Sequence, residues 1–79
     1  MKTLREWRIY RVLSGRDLAA AARITHKTLV DLELGRRTPT FETIRRLSDA
    51  LSVVPTEVEE FDDALARRSG KERRNDVTG

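Results

Sequence analysis

The sequence predicts an all-α domain of five short helices followed by a mobile basic tail, and three observations predict it. Hydroxyl residues stand at Thr3, Ser14, Thr25 and Thr40, each just ahead of a stretch with spaced apolar residues, where a side-chain oxygen can cap a helix start. Within those stretches the apolar residues return at intervals of three and four, the period of one helix face. Residues 18–39, LAAAARITHKTLVDLELGRRTP, read as two short helices set at an angle around a tight corner. The rest of the chain is arranged to hold that pair.

Thr3 with Glu6 forms a capping-box pattern, so the first helix is expected over residues 4–12, with Leu4, Trp7, Ile9 or Tyr10, and Leu13 turned inward and Arg11 exposed. Ser14 with Asp17 repeats the pattern and starts a second helix at Gly15 or Arg16. That helix runs to Ala22, and its alanines are thin enough for close approach of another backbone. Arg23, Ile24 and Thr25 make the corner. Thr25 opens a third helix, expected over residues 26–34 and stopped by Gly35, a residue suited to left-handed geometry. Leu29 and Leu32 face inward, so His26, Lys27, Val30 and Asp31 face out. A loop carrying Arg36 and Arg37 follows. Thr40 caps a fourth helix over residues 41–51, with Phe41, Ile44, Leu47, Ala50 and Leu51 as its inward set. The fifth opens near Pro55, or two residues later if Thr56 and Glu59 form its box, and Val54, Val58, Phe61 and Leu65 make one apolar stripe. Residues 67–79 are basic and nearly free of apolar side chains, so residues 1–66 are read as the domain and the remainder as a disordered tail.

Composition narrows the function. The chain has 79 residues, enough for a single small domain, and no cysteine, so neither disulfides nor thiolate metal sites are available. One histidine rules out a histidine cluster. The carboxylates lie on helix faces without a base or nucleophile beside them, and no phosphate-cradling glycine loop is present; an enzyme, a metal and a cofactor are therefore not expected. No small-molecule ligand is evident either. The longest apolar run is too short to span a bilayer and the start lacks a signal-peptide core, so a soluble cytoplasmic protein is expected. Charge is sorted along the chain: residues 1–40 carry +5, residues 41–66 carry −5 and residues 67–79 carry +3. A basic front with an acidic back suits a protein that offers one face to a polyanion.

From residue 13 to residue 40, and more loosely from 4 to 58, the pattern resembles the Cro and phage-repressor-like helix-turn-helix family, the XRE type. The residues that carry the resemblance are Leu4, Arg5 and Arg8, then Leu13, Ser14, Leu18, Ala19, Ala22, Ile24, Thr25, Thr28, Leu29, Leu32, Glu33 and Gly35. Pro39, Ile44, Leu47, Ala50, Leu51 and Val53 continue it. The chain departs from the family at three places: Gly15 stands where Gln is common, and Arg23 and Ser52 stand where Gly is common. The resemblance implies a lambda-repressor-like fold and a regulator, most often a repressor, of double-stranded DNA. It also implies an ion pair between Arg8 and Glu33, tying the first helix to the third. In that geometry the third helix enters the major groove, where Thr25, His26, Lys27, Val30 and Asp31 meet base edges. Lys27 suits guanine, Asp31 suits the cytosine amino group and Val30 a thymine methyl. Arg16, Thr28, Arg36 and Arg37 are assigned to phosphates.

Domains of this family also serve as protein-interaction modules, such as antitoxins or adaptors, and an outward Leu34 favours that alternative. The basic surface around Lys27, Arg36 and Arg37 favours DNA. One recognition helix reads too few base pairs to be selective, so a homodimer is expected. The stripe Val54, Val58, Phe61 and Leu65 could lie on the domain's own core, but as the only unassigned apolar surface of useful length it is expected to be the dimer interface.

Overall fold

The structure, a computed structural model, describes the backbone of residues 1–78 and the side chains of residues 1–68. Its helices are α1 (Leu4–Tyr10), α2 (Gly15–Ala22), α3 (His26–Glu33), α4 (Phe41–Leu51) and α5 (Glu59–Thr78), with one 3-10 turn, Pro55–Glu57, between the last two. The expectation of a mobile tail over residues 67–79 falls mostly outside the described side chains.

Four of these helices start on the predicted hydroxyls. Thr3, Ser14, Thr25 and Thr40 each accept the backbone N–H of the residue three places on. At Thr3 the box is reciprocal, because Glu6 Oε1 accepts the Thr3 N–H at 2.8 Å. That bond favours the ionised form, so hydrogen bonding from the Thr3 backbone holds the Glu6 carboxyl below its ordinary pKa. The cap's contribution is therefore present above the ordinary carboxylate range and lost as pH falls through the lowered value.

The same four helices also stop alike. The N–H groups of Leu13, Ile24, Arg36 and Val53 reach back to the carbonyls of Arg8, Ala19, Asp31 and Ser48 at 2.8 to 3.0 Å. The residue before each is left-handed: Val12, Arg23, Gly35 and Ser52 have φ of 57°, 59°, 73° and 58°. This is the Schellman stop, which satisfies orphan carbonyls and turns the chain sharply. After three of the four turns an apolar residue, Leu13, Ile24 or Val53, packs against the core. At Arg23 and Ser52 the left-handed geometry is kept without the glycine, at roughly 1–2 kcal/mol each.

Helix boundaries differ from expectation in ways the stops explain. Helix α1 ends at Tyr10 rather than residue 12, since Val12 takes the left-handed position. Helix α3 ends at Glu33, one residue early, with Leu34 as its cap. Phe41, expected inward, is 50% exposed, and the Arg68 guanidinium lies 4.4 Å from its ring centre. The last helix starts neither at Pro55 nor two residues later, but at Glu59. Val58 is extended instead, forms a parallel bridge with Lys2, and passes the Glu59 N–H to the Lys2 carbonyl at 2.9 Å.

The core gathers Leu4, Leu18, Leu29, Leu32, Ile44, Leu47, Leu51, Val58 and Phe61 around Ala19, Ala22 and Ala64. This corrects the expected dimer stripe. Val58 and Phe61 are both 0% exposed and belong to the monomer's core, and Leu65 is partly covered by it. Val54 is 59% exposed, because the 3-10 turn and the extended Val58 take it out of helical register with α5. Trp7 is half-buried, and its indole N–H donates to the Glu57 carbonyl at 2.8 Å.

Val12 offers a direct test of the stop geometry, since it is 89% exposed and has almost no packing to lose. Its Cβ is what the left-handed conformation disfavours. Val12→Gly should raise stability by about 0.5–1 kcal/mol after the entropy of glycine in the unfolded chain is allowed for. Val12→Ala, which keeps the Cβ, should gain clearly less. Urea denaturation of the three proteins at one temperature measures both differences.

Candidate nucleic-acid interface

The site is built on the α2–α3 pair. Leu18, Ala19 and Ala22 of α2 and Leu29 and Leu32 of α3 are buried, which fixes the opposite face of α3 outward. Around the start of α3 a small polar lattice forms. Thr25 Oγ1 accepts the Thr28 N–H at 3.1 Å and lies 2.8 Å from Thr28 Oγ1, which also accepts from Arg37 Nη1 at 3.1 Å. Thr28 is thereby half-buried and holds Arg37 beside the helix start.

On the outward face, the Lys27 side chain is 87% exposed and Asp31 only 21%. The Asp31 carboxylate lies 3.9 Å from Lys27 Nζ and 4.0 Å from Arg36 Nη1, at the edge of ion pairing. Contacts this long between exposed cations and a carboxylate are worth a few tenths of a kcal/mol at most, so both cations are free to leave for another anion. Val30 is half-buried rather than fully outward, and His26 is exposed at the first position of α3. Arg16 is exposed in the first turn of α2, and Arg36 and Arg37 are exposed after Gly35. The residues predicted for base and phosphate contact thus lie on two adjoining elements, α3 with the loop behind it and the first turn of α2.

What holds this face in place is a fork of hydrogen bonds from α1. Arg8 Nε and Nη2 donate to the two carboxylate oxygens of Glu33 at 2.7 and 3.2 Å, and Nη1 donates to the Leu13 carbonyl at 3.1 Å. The side chains are 15% and 11% exposed. The hydrogen bond to Glu33 holds the Arg8 guanidinium above its ordinary pKa.

Residues 2–61 match the family model of a helix-turn-helix domain. The chain belongs to the helix-turn-helix family. No curated protein and no solved structure matches the chain. A helix-turn-helix domain is a DNA-binding unit in general, and the α2–α3 pair is where this one carries its motif. None of its described helices is long and apolar enough to cross a membrane.

Two ties that support the motif were not read from the sequence. The Glu60 carboxylate accepts the Leu4 N–H at 2.7 Å, capping α1 from the far end of the domain. Arg11, expected to be merely exposed, donates to the Leu51 and Ser52 carbonyls at 2.9 and 3.3 Å and so closes the end of α4. A cation there also faces the negative end of the helix dipole. No local pattern marks either partner, since each lies at least 40 residues away.

The fork predicts an asymmetry between losing one partner and losing both. Glu33→Ala should destabilise by about 3 kcal/mol, since it strands a mostly buried guanidinium. Replacing both residues with methionine should cost less than either single alanine change. Chemical denaturation of the singles and the double measures the coupling.

Proposed function

We propose that this helix-turn-helix domain is of the Cro and phage-repressor-like type and acts in the cytoplasm as a sequence-specific repressor on double-stranded DNA. The observation that carries the reading is the outward face of α3, where Lys27 is 87% exposed and Arg36 and Arg37 stand beside it on a front of charge +5. Its N-terminal turn fits a major groove, with Thr25, His26, Lys27, Val30 and Asp31 toward base edges. Arg16, Thr28, Arg36 and Arg37 take the flanking phosphates, Arg37 already being aimed by its bond to Thr28. Asp31 accepts from cytosine and repels a misplaced phosphate, which makes it a device for rejecting wrong sites. The protein-interaction reading draws on Leu34, which is 59% exposed next to Glu33.

Selection from a random duplex library tests the first reading. Lys27→Ala and Asp31→Ala should each shift discrimination by about 1–3 kcal/mol at one base pair. Arg37→Ala should instead weaken every duplex alike and lower the salt slope by about one unit. A wild-type chain that retards no duplex at low salt would favour the protein-interaction module.

A homodimer that spaces two α3 helices about 34–36 Å apart follows from the same reading. Because Val58 and Phe61 are buried, we place its surface on the exposed remainder of that side. Val53, Pro55, Phe41 and Leu65 line a shallow cleft of 270 Å³ there, and Val54, between two of them in the chain, is 59% exposed. Val54→Asp should give a folded monomer in sedimentation, with operator binding weakened. Val58→Asp should not fold.

A further inference from the structure

Gly15 is the first residue of α2 and is half-buried, although its φ is ordinary and no turn requires a glycine there. The reason for its size lies across the corner. A methyl group on Gly15 would sit 3.0 Å from Nε2 and 3.3 Å from Cδ2 of His26, and 3.9 Å from Leu29 Cδ2. The imidazole edge that carries Nε2 and Cδ2 therefore occupies the notch that a side chain at position 15 would fill. By the covalent order of the ring, Nδ1 lies on the other edge.

We infer that Gly15 is a specificity-setting position that acts through His26, by seating the ring against α2 and so fixing which edge faces the DNA. The inference rests on the DNA-reading function proposed above. Its chemistry is that of orientation. An exposed histidine at the first turn of a recognition helix samples several rotamers, and each offers a base a different nitrogen at a different place. Contact with α2 on one edge removes that freedom, and a bond formed by an oriented group loses less entropy than one formed by a free group. The contact also joins the two helices of the motif at their N-terminal ends, the ends that approach the duplex. Gly15 itself contributes no side-chain atom to a base or phosphate, so it is a positioning residue.

The experiment compares the wild type with Gly15→Ala, Gly15→Met, His26→Ala and the double variant Gly15→Met/His26→Ala. Alanine and methionine are better helix formers than glycine, so these changes leave α2 at least as stable. Methionine fills the notch without adding a hydrogen-bond donor. Site selection should show Gly15→Met losing about tenfold in preference at the same base pair that His26→Ala affects, with Gly15→Ala losing less and the salt slope unchanged. The double variant should match His26→Ala, because the two changes act on one contact. In the free protein, nuclear Overhauser contacts between the His26 ring and the Gly15 α-protons should be present. Unaltered preference in Gly15→Met, or additive effects in the double variant, would overturn the inference while leaving the DNA reading intact. Missing Overhauser contacts would overturn the seat itself. If no duplex is bound by the wild type, the function and the inference fall together.

Discussion

The two-pronged bond between Arg8 and Glu33 is the constraint on which the geometry of the motif depends. Helix α3 is only eight residues long, too short to hold its shape or its angle alone. Its inner face is held by Leu29 and Leu32, but apolar contact is non-directional and fixes depth better than rotation. The guanidinium supplies direction. It meets both carboxylate oxygens at the last residue of the helix and at the same time takes the Leu13 carbonyl in the turn after α1. The carboxylate and the turn are thereby referred to one planar group, and the outward residues of α3 inherit that reference.

Helix α1 extends the same principle to the rest of the domain. From seven residues it sends Arg8 to α3, Trp7 to the Glu57 carbonyl and receives Glu60 at its own first turn. Arg11, one residue beyond, closes α4. Polar bonds from one element thus reach the ends of several others, where unpaired backbone groups are found. The charge layout agrees with this division of labour. Carboxylates at the rear serve as caps and partners, while the cations near α3 keep only weak internal contacts.

The helices and their order were legible because their starts are written locally. Thr3, Ser14, Thr25 and Thr40 each bond to a group three residues away, so a short window of sequence contains both partners. The stops were less legible. Only Gly35 announces itself, whereas Val12, Arg23 and Ser52 adopt the same conformation against their own preference, driven by the apolar residues after Leu51 or Ala22 that seek the core. An apolar residue two or three places beyond a helix end was the available signal. The fifth stripe misled for a related reason: Val54, Val58, Phe61 and Leu65 fit helical spacing, yet the chain is extended at Val58, which no single-helix pattern records. Of the candidate site, the outward set on α3 followed from Leu29 and Leu32 alone, while the contact between Gly15 and His26 required the angle between two helices.

The bridge between Lys2 and Val58 joins two segments far apart in the chain. Lys2 and Glu59 share a hydrogen bond, and Leu4 is capped by a carboxylate 56 residues later, so residues 2–4 are completed by residues 59 and 60. At about 5–20 residues per second, roughly 3–11 seconds separate their synthesis. During that interval α1 has its local cap at Thr3 but lacks Glu57, Glu60 and the end of α4, and Leu4 has no finished core to enter. The α2–α3 motif, by contrast, has its caps and its corner within residues 14–36. Helix α1, which orients the reading face through Arg8, is thus itself held by residues 57–60, so a change there reaches the face without touching it.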